Sequence, residues 1–241
     1  MREIKIIEVK QSVFEDNNKD ADKLRASLKE EKTFLLNLMS SPGAGKTTLL
    51  LKLAEVLDKR LKMAVMEADI DSDVDAAKIL DAGIPAIQIH TGGMCHLDAD
   101  MTRQGLSTLK EYVKGRKSQA GYEVNAEGID LVVLENVGNL VCPAEFDTGA
   151  VANATILSVP EGEDKPLKYP LMYETCQLLI VSKTDVLPYF DFDCEKVVEY
   201  AKMRNPNIDV IFVSAKTGEG MDELVEWIAD RVEEWKENRI S

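Results

Sequence analysis

The residues with the clearest chemistry lie together at Ser40-Ser41-Pro42-Gly43-Ala44-Gly45-Lys46-Thr47. This octapeptide departs from the phosphate loop G-x-x-x-x-G-K-[ST] only at its first position, where Ser40 replaces glycine. Gly43 and Gly45 allow successive backbone N–H groups to turn toward an anion, and Lys46 adds a point charge. Thr47 places a hydroxyl where a magnesium ion bridging the terminal phosphates of a nucleotide would sit. A glycine turn followed by an exposed lysine would read the same in isolation. Here the loop stands between an apolar run, TFLLNLM, and a helical pattern, LLLKLAEVL, whose N-terminus aims at the same spot.

Three further stretches follow in the order a nucleotide switch needs. Glu135-Asn136-Val137-Gly138 resembles the D-x-x-G switch, with Glu for Asp, and Gly138 lets a backbone N–H approach a γ-phosphate. Ser182-Lys183-Thr184-Asp185 resembles N-K-x-D, whose carboxylate accepts from N1 and the exocyclic amino group of guanine. Ser214-Ala215-Lys216 resembles the S-A-K loop whose backbone N–H meets the guanine carbonyl. Adenine has no ring N–H for Asp185, so guanine fits better. Ser182 replaces an asparagine that buttresses the base loop, and its shorter side chain is expected not to reach as far. Asp69, in MEADID, is a second carboxylate at a strand end, open to two readings: a magnesium or water-positioning group, or the N-cap of the next helix.

A second unusual stretch, HTGGMCHLDADM at 90–101, holds both histidines of the chain. A thiolate and an imidazole side by side, Cys95 and His96, suit zinc or nickel, but at least one or two more ligands must come from elsewhere. Cys142, four residues beyond Gly138, is the nearest candidate, and a twofold partner would supply the set again. The plainer reading has Cys95 as a small buried hydrophobe and His96 at the start of a helix. Cys176 and Cys194 read as structural.

These residues need a frame. Apolar runs at 33–39, 63–68, 86–90, 130–136, 154–159, 177–183 and 209–214 alternate with helical patterns after the phosphate loop and at 72–81, 98–113, 193–204 and 220–236. Strands apolar on both faces and separated by helices imply an α/β fold with a mostly parallel sheet covered on both sides. Residues 1–32 read as an appendage, a short strand at EIKIIEV and then a charged helix, on a single domain at 33–241. The stretch 115–128 reads as a surface loop. The chain of 241 residues carries 43 acidic and 29 basic side chains, a formal charge of −14, which disfavours nucleic acid and anionic membranes. Without a secretory h-region, a spanning apolar run or a C-x-x-C pair, the expected setting is a reducing cytoplasm.

With SSPGAGKTTLL, HTGGMCHLDADM, ENVGNLVCPAEFD, EGEDKPLKYP and SKTD in this order, the sequence from about residue 33 onward resembles the HypB family of hydrogenase nickel-incorporation GTPases. Urease-type and cobalamin-enzyme accessory GTPases share the phosphate loop but not the C-H-L-D-A and E-N-V-G-N-L-x-C-P stretches. The resemblance implies a P-loop domain of the SIMIBI class that dimerises on GTP, hydrolyses it, and helps deliver nickel to a hydrogenase large-subunit precursor alongside a companion nickel chaperone; with no arginine placed as an obvious finger, slow turnover is expected. It implies that Gly43, Ala44, Gly45, Lys46, Thr47 and Thr48 hold phosphate, and that Thr47, Asp69 and Glu135 arrange Mg²⁺. Lys183 and Asp185 would read the base with the loop Ser214, Ala215 and Lys216. Cys95, His96 and Cys142 would bind nickel or zinc, and Lys165 and Lys168 are candidates to reach a nucleotide across the dimer, the plainer reading being solvated surface lysines. Two departures stand out: Gly93-Met94 occupies the place where relatives often have lysine, and residues 1–32 hold neither Cys nor His, so no N-terminal nickel store is expected. Two readings remain beside this one, a nucleotide-gated scaffold with structural zinc and a P-loop kinase using Asp69 as base.

Overall fold

The computed structural model describes residues 3–57, 60–69, 74–115 and 128–239. Apart from its two ends, the stretch 115–128 expected as a surface loop lies outside the described residues. Strands β1 (Phe34–Ser40), β2 (Met63–Asp69), β3 (Ala86–His90), β4 (Leu131–Glu135), β5 (Ala152–Ser158), β6 (Leu178–Ser182) and β7 (Asp209–Phe212) match the seven apolar runs. They form one sheet in the order β3-β2-β4-β1-β5-β6-β7. Every adjacent pair is parallel. β1 and β4 are buried throughout, as expected for strands covered on both faces.

The helices are α1 (Glu3–Glu30), α2 (Lys46–Leu57), α3 (Val74–Asp81), α4 (Ala99–Gly115), α5 (Cys142–Glu145), α6 (Lys165–Lys168), α7 (Pro170–Glu174), α8 (Cys194–Arg204) and α9 (Met221–Lys236). Side chains alternate across the sheet: in β6, Leu178 and Ile180 enter one apolar cluster while Leu179 and Val181 enter the other. α9 contributes Leu224, Ile228, Val232 and Trp235 to the first cluster. The Trp235 indole N–H also donates to the Thr33 carbonyl at 2.9 Å. Helices α5, α6 and α7 are absent from the sequence reading because four or five residues show no 3.6-residue period; each starts on a proline-bearing turn. Among the described residues no helix is long and apolar enough to cross a membrane.

The N-terminus differs from expectation. EIKIIEV is the start of α1 and not a strand. A strand there would need a sheet edge to satisfy its backbone, whereas a helix satisfies its N–H and C=O groups within itself. Further along α1, Ala21, Leu24 and Leu28 are buried on one stripe, and Leu24 and Leu28 belong to the same cluster as β1 and β4. α1 packs against α4, and Lys110 bridges to Glu31 at 2.5 Å.

Truncation of Leu28, which is 0% exposed, removes a side chain from this shared cluster. Leu28→Ala is expected to cost about 2–5 kcal/mol, read as a lower urea midpoint of a single transition. A change below about 1 kcal/mol would show that α1 contributes little to the core.

Candidate functional site

A parallel sheet brings the carboxyl ends of all its strands to one edge, and ligands bind in the crevice there. Ser40, Asp69, Glu135, Ser158 and Ser182 are the last residues of their strands. The phosphate loop leaves the central strand β1 and enters α2 at Lys46, with no acidic residue in the first turn of α2 to compete for an anion. Gly43 and Gly45 have φ of 77° and 98°, which a side chain would strain and which turn the intervening N–H groups inward. The Lys46 ammonium donates to the Ser40 hydroxyl at 2.9 Å, lying back along the loop. Ser40, in place of glycine, thus gives the lysine an oxygen to rest on.

The base-reading stretches converge beside this loop. A cavity of about 220 Å³ opens between Ala44, Gly45 and Thr48 on one side and Lys183, Asp185 and Lys216 on the other. The Ser182 hydroxyl donates to the Ala44 carbonyl at 2.9 Å in a buried contact, so the short side chain engages the phosphate loop. It does so because β6 ends close to the phosphate loop. Lys183 takes the left-handed conformation, φ 62°, and its ammonium donates to the Gly43 carbonyl at 2.8 Å. What Lys183 offers the cavity is therefore its methylene stem. Asp185 accepts from the fully buried Ser214 hydroxyl at 2.8 Å, and the Lys216 ammonium lies 3.7 Å from its other oxygen. Ser214 also accepts from the Thr217 N–H, so the hydroxyl of the S-A-K loop orients the carboxylate expected to read the base.

Glu135 ends β4 and is 3% exposed. Its Cα partner on β2 is Glu67, equally buried, a residue the sequence reading passed over. Their register sets two buried carboxyl groups on adjacent strands at this edge. Their hard oxygen donors, with the Thr47 hydroxyl at the head of α2, fit magnesium. Asp69 ends β2 in register with His90, and its side chain lies outside the described residues. Gly138 abuts the phosphate loop: a Cβ there would lie 3.2 Å from Pro42 Cγ and 3.3 Å from its Cα. Glu161, also missed, accepts from the Ser41 hydroxyl of the phosphate loop and from the Ser158 N–H and hydroxyl. Lys165 donates back to the Glu161 carbonyl and Lys168 pairs with Asp164 at 2.5 Å. That pairing holds the Asp164 carboxyl below the usual range and raises Lys168.

The cysteines come from two segments. Thr91 closes the turn before Cys95 by donating to the Met94 carbonyl at 2.6 Å, and Cys142 opens α5. The neighbouring Cys95 thiol, together with burial, pushes the pKa of Cys142 up. Cys95 Sγ lies 4.0 Å from His96 Nδ1. The His96 ring stacks on Phe146 at 3.7 Å and 9°, and burial lowers its pKa, favouring the neutral imidazole that a metal requires. Among the described residues no three His, Cys, Asp or Glu side chains converge as a ready-made cage. Cys176 is fully buried and its thiol is pushed far up by desolvation; Cys194 starts α8 beside the capping carboxylate of Asp193.

A strand, a glycine-turned anion loop and a helix, with further loops converging at the ends of parallel strands, define a P-loop nucleotide-binding protein. The CobW/HypB/UreG nucleotide-binding domain matches residues 34–212. The chain is 46% identical over 224 residues to the hydrogenase maturation factor HypB of Azotobacter vinelandii, covering 93% of this chain and 69% of that one. It is 43% identical over 228 residues to HypB of Escherichia coli (strain K12), covering 95% and 73%. The crystal structure of HypB from Helicobacter pylori in complex with nickel superposes with a TM-score of 0.82 at 35% identity, covering 94% of this chain and 98% of that one. HypB from Archaeoglobus fulgidus superposes with a TM-score of 0.77 at 31% identity, covering 90% and 98%. The chain belongs to the HypB family of hydrogenase maturation factors.

Removing the Ser182 hydroxyl strips the buried Ala44 carbonyl of its donor. Ser182→Ala is expected to cost about 1–3 kcal/mol and to weaken GDP binding by up to about tenfold, measured by calorimetry, if the loop depends on this contact. Wild-type GDP affinity in the variant would show that the contact does not shape the loop.

Proposed function

We propose that this protein is a GTP-hydrolysing metallochaperone whose nucleotide state governs a nickel or zinc site at Cys95, His96 and Cys142. One observation carries the reading. Gly138 packs on Pro42 of the phosphate loop, and four residues later Cys142 lies beside Cys95. A γ-phosphate that rearranges the Gly138 segment pulls on a thiol through a short stretch of chain.

The residues divide the work. Backbone N–H groups of Gly43 to Thr48 and the Lys46 ammonium hold the phosphates. Lys183, Asp185 and the loop at Ser214, Ala215 and Lys216 select guanine. Thr47, Asp69 and Glu135 would hold Mg²⁺, which when bound neutralises charge developing on the phosphates. No arginine is placed as a finger in the sequence, so turnover is slow. Two thiols and a neutral imidazole are a soft, incomplete set that suits an exchangeable metal better than the closed four-ligand cage of structural zinc. The remaining donors come from a second copy when GTP closes a homodimer, and Lys165 and Lys168 would leave Glu161 and Asp164 to reach the partner's nucleotide. The cargo passes to a hydrogenase large-subunit precursor, with a companion nickel chaperone upstream.

The deciding experiment is equilibrium dialysis with nickel and with zinc on nucleotide-free, GDP-loaded and GTP-analogue-loaded protein. Affinity that differs between GDP and GTP forms supports the switch; equal affinity in all three reduces the protein to a scaffold. Lys46→Ala is expected to abolish GTP turnover with an unchanged circular dichroism spectrum, and undiminished hydrolysis would dispose of the catalytic assignment. The double variant Cys95→Ser, His96→Ala is expected to lose the metal while keeping GTP affinity within about twofold. Unaltered nickel stoichiometry in that variant would place the site elsewhere.

A further inference from the structure

The two cysteine-bearing segments meet a residue that carries no metal donor. Asn17, half buried on α1, divides its amide between them. Its Nδ2 donates to the Asp147 carbonyl at 2.9 Å, and its Oδ1 accepts the Ala99 N–H at 2.9 Å. Ala99 is the first residue of α4, three positions after His96. Asp147 follows Phe146, the residue stacked on His96. The contacts close a ring: His96 to Phe146 through the stacked rings, Phe146 to Asp147 along the chain, Asp147 to Asn17 to Ala99 through one amide, and Ala99 back to His96.

Neighbouring contacts hold Asn17 in that place. Arg25, two turns further along α1, grips the Asp147 carboxylate with both guanidinium nitrogens at 2.9 and 2.5 Å. The same carboxylate accepts the Gly149 N–H at 2.9 Å. Leu24 lies so close to Gly149 that a Cβ there would be 2.8 Å from Leu24 Cδ2. α1 is thereby fixed against the segment that follows Cys142.

We infer that Asn17 is a positioning residue for the Cys95 and Cys142 pair, so that a helix without ligands sets the metal affinity. The physical ground is that neither thiol is held by sheet register. Cys95 lies in a bend between β3 and α4, and Cys142 opens a helix of four residues. Segments of this kind must be ordered when they close on an ion, and a link that orders them beforehand lowers that cost. An amide suits the task because it offers a donor and an acceptor in one rigid plane, which neither Asp nor Leu does.

The inference rests on the metal reading above, and its test separates the two. In the full-length, reduced, metal-free protein, nickel affinity, GDP affinity, thermal midpoint and the rate at which a short bifunctional thiol reagent bridges Cys95 to Cys142 are compared for wild type, Asn17→Ala and Asn17→Asp. Asn17→Asp keeps the size and the acceptor for Ala99 while losing the donor to Asp147, so it guards against a variant that fails to fold. Both are expected to weaken nickel about tenfold, the scale of losing an outer support of a metal ligand. Both should slow bridging severalfold, with GDP affinity within about twofold of wild type. Wild-type nickel affinity and bridging rate in both variants would overturn the inference. So would parallel losses of nickel affinity, GDP affinity and thermal midpoint, which would mark a general loosening. If a Cys95→Ser variant binds nickel as well as wild type, the metal reading fails, and the bridging rate in the Asn17 variants alone then decides the role of Asn17.

Discussion

Parallel pairing is the constraint from which the rest follows. A parallel strand cannot be joined to its neighbour by a tight turn, so each crossover passes through a helix and returns every strand in the same direction. All carboxyl ends then share one edge, and whatever chemistry the chain possesses collects there. β1 sits between β4 and β5, so the phosphate loop leaving it touches the loops after both. An antiparallel arrangement of the same strands would scatter Ser40, Glu135, Ser158 and Ser182 over two edges.

The phosphate loop is consequently a shared object. Ser182 holds the Ala44 carbonyl, Lys183 the Gly43 carbonyl, Glu161 the Ser41 hydroxyl, and Gly138 closes on Pro42. Four positions of one short loop are thus engaged by three different strand-end segments. A phosphate that draws the loop's N–H groups inward bears on each of these contacts. The Glu161 contact reaches the segment with Lys165 and Lys168, and the Gly138 contact reaches Cys142. The base loops, by contrast, are braced internally by Ser214 on Asp185, which suits a part that reads a ligand without moving.

How much of this the sequence discloses depends on whether a feature is local. Strands buried on both faces appear as apolar runs, and the glycine loop, Asp185 and Ser214 stand in motifs whose spacing reflects contact with one ligand. Glu161 lies in EGEDK, where an acid among acids looks like a solvated surface, and only the fold turns it toward Ser41. Glu67 interrupts an apolar strand, a signal that was available, but its meaning comes from register with Glu135. The reach of Ser182 depends on where β6 ends relative to the loop, which no spacing encodes. EIKIIEV has β-branched residues that suit a strand, yet without a ladder to join, the helix prevails. Asn17 is the extreme case: it is one polar residue in a charged helix, and its partners are 82 and 130 positions away.

Coupling between the nucleotide and the thiols is limited by what the connecting contacts can transmit. A ligand shifts an equilibrium only by its differential affinity for the two forms, and the effect is reciprocal. If GTP and GDP forms differ tenfold in nickel affinity, nickel must change the preference for GTP over GDP by the same tenfold, about 1.4 kcal/mol. That is the scale of one or two hydrogen bonds of the kind seen between Ser182 and Ala44, or between Asn17 and its two partners. The stacked ring of His96 and the amide of Asn17 oppose free movement of the cysteine segments, so a movement transmitted from Gly138 has to work against them. A tighter clamp would raise metal affinity in both nucleotide states and blunt their difference; a looser one would lose the metal in both. On the proposed reading, the clamp on α1 would bear on the gain of the switch as well as on the grip of the site.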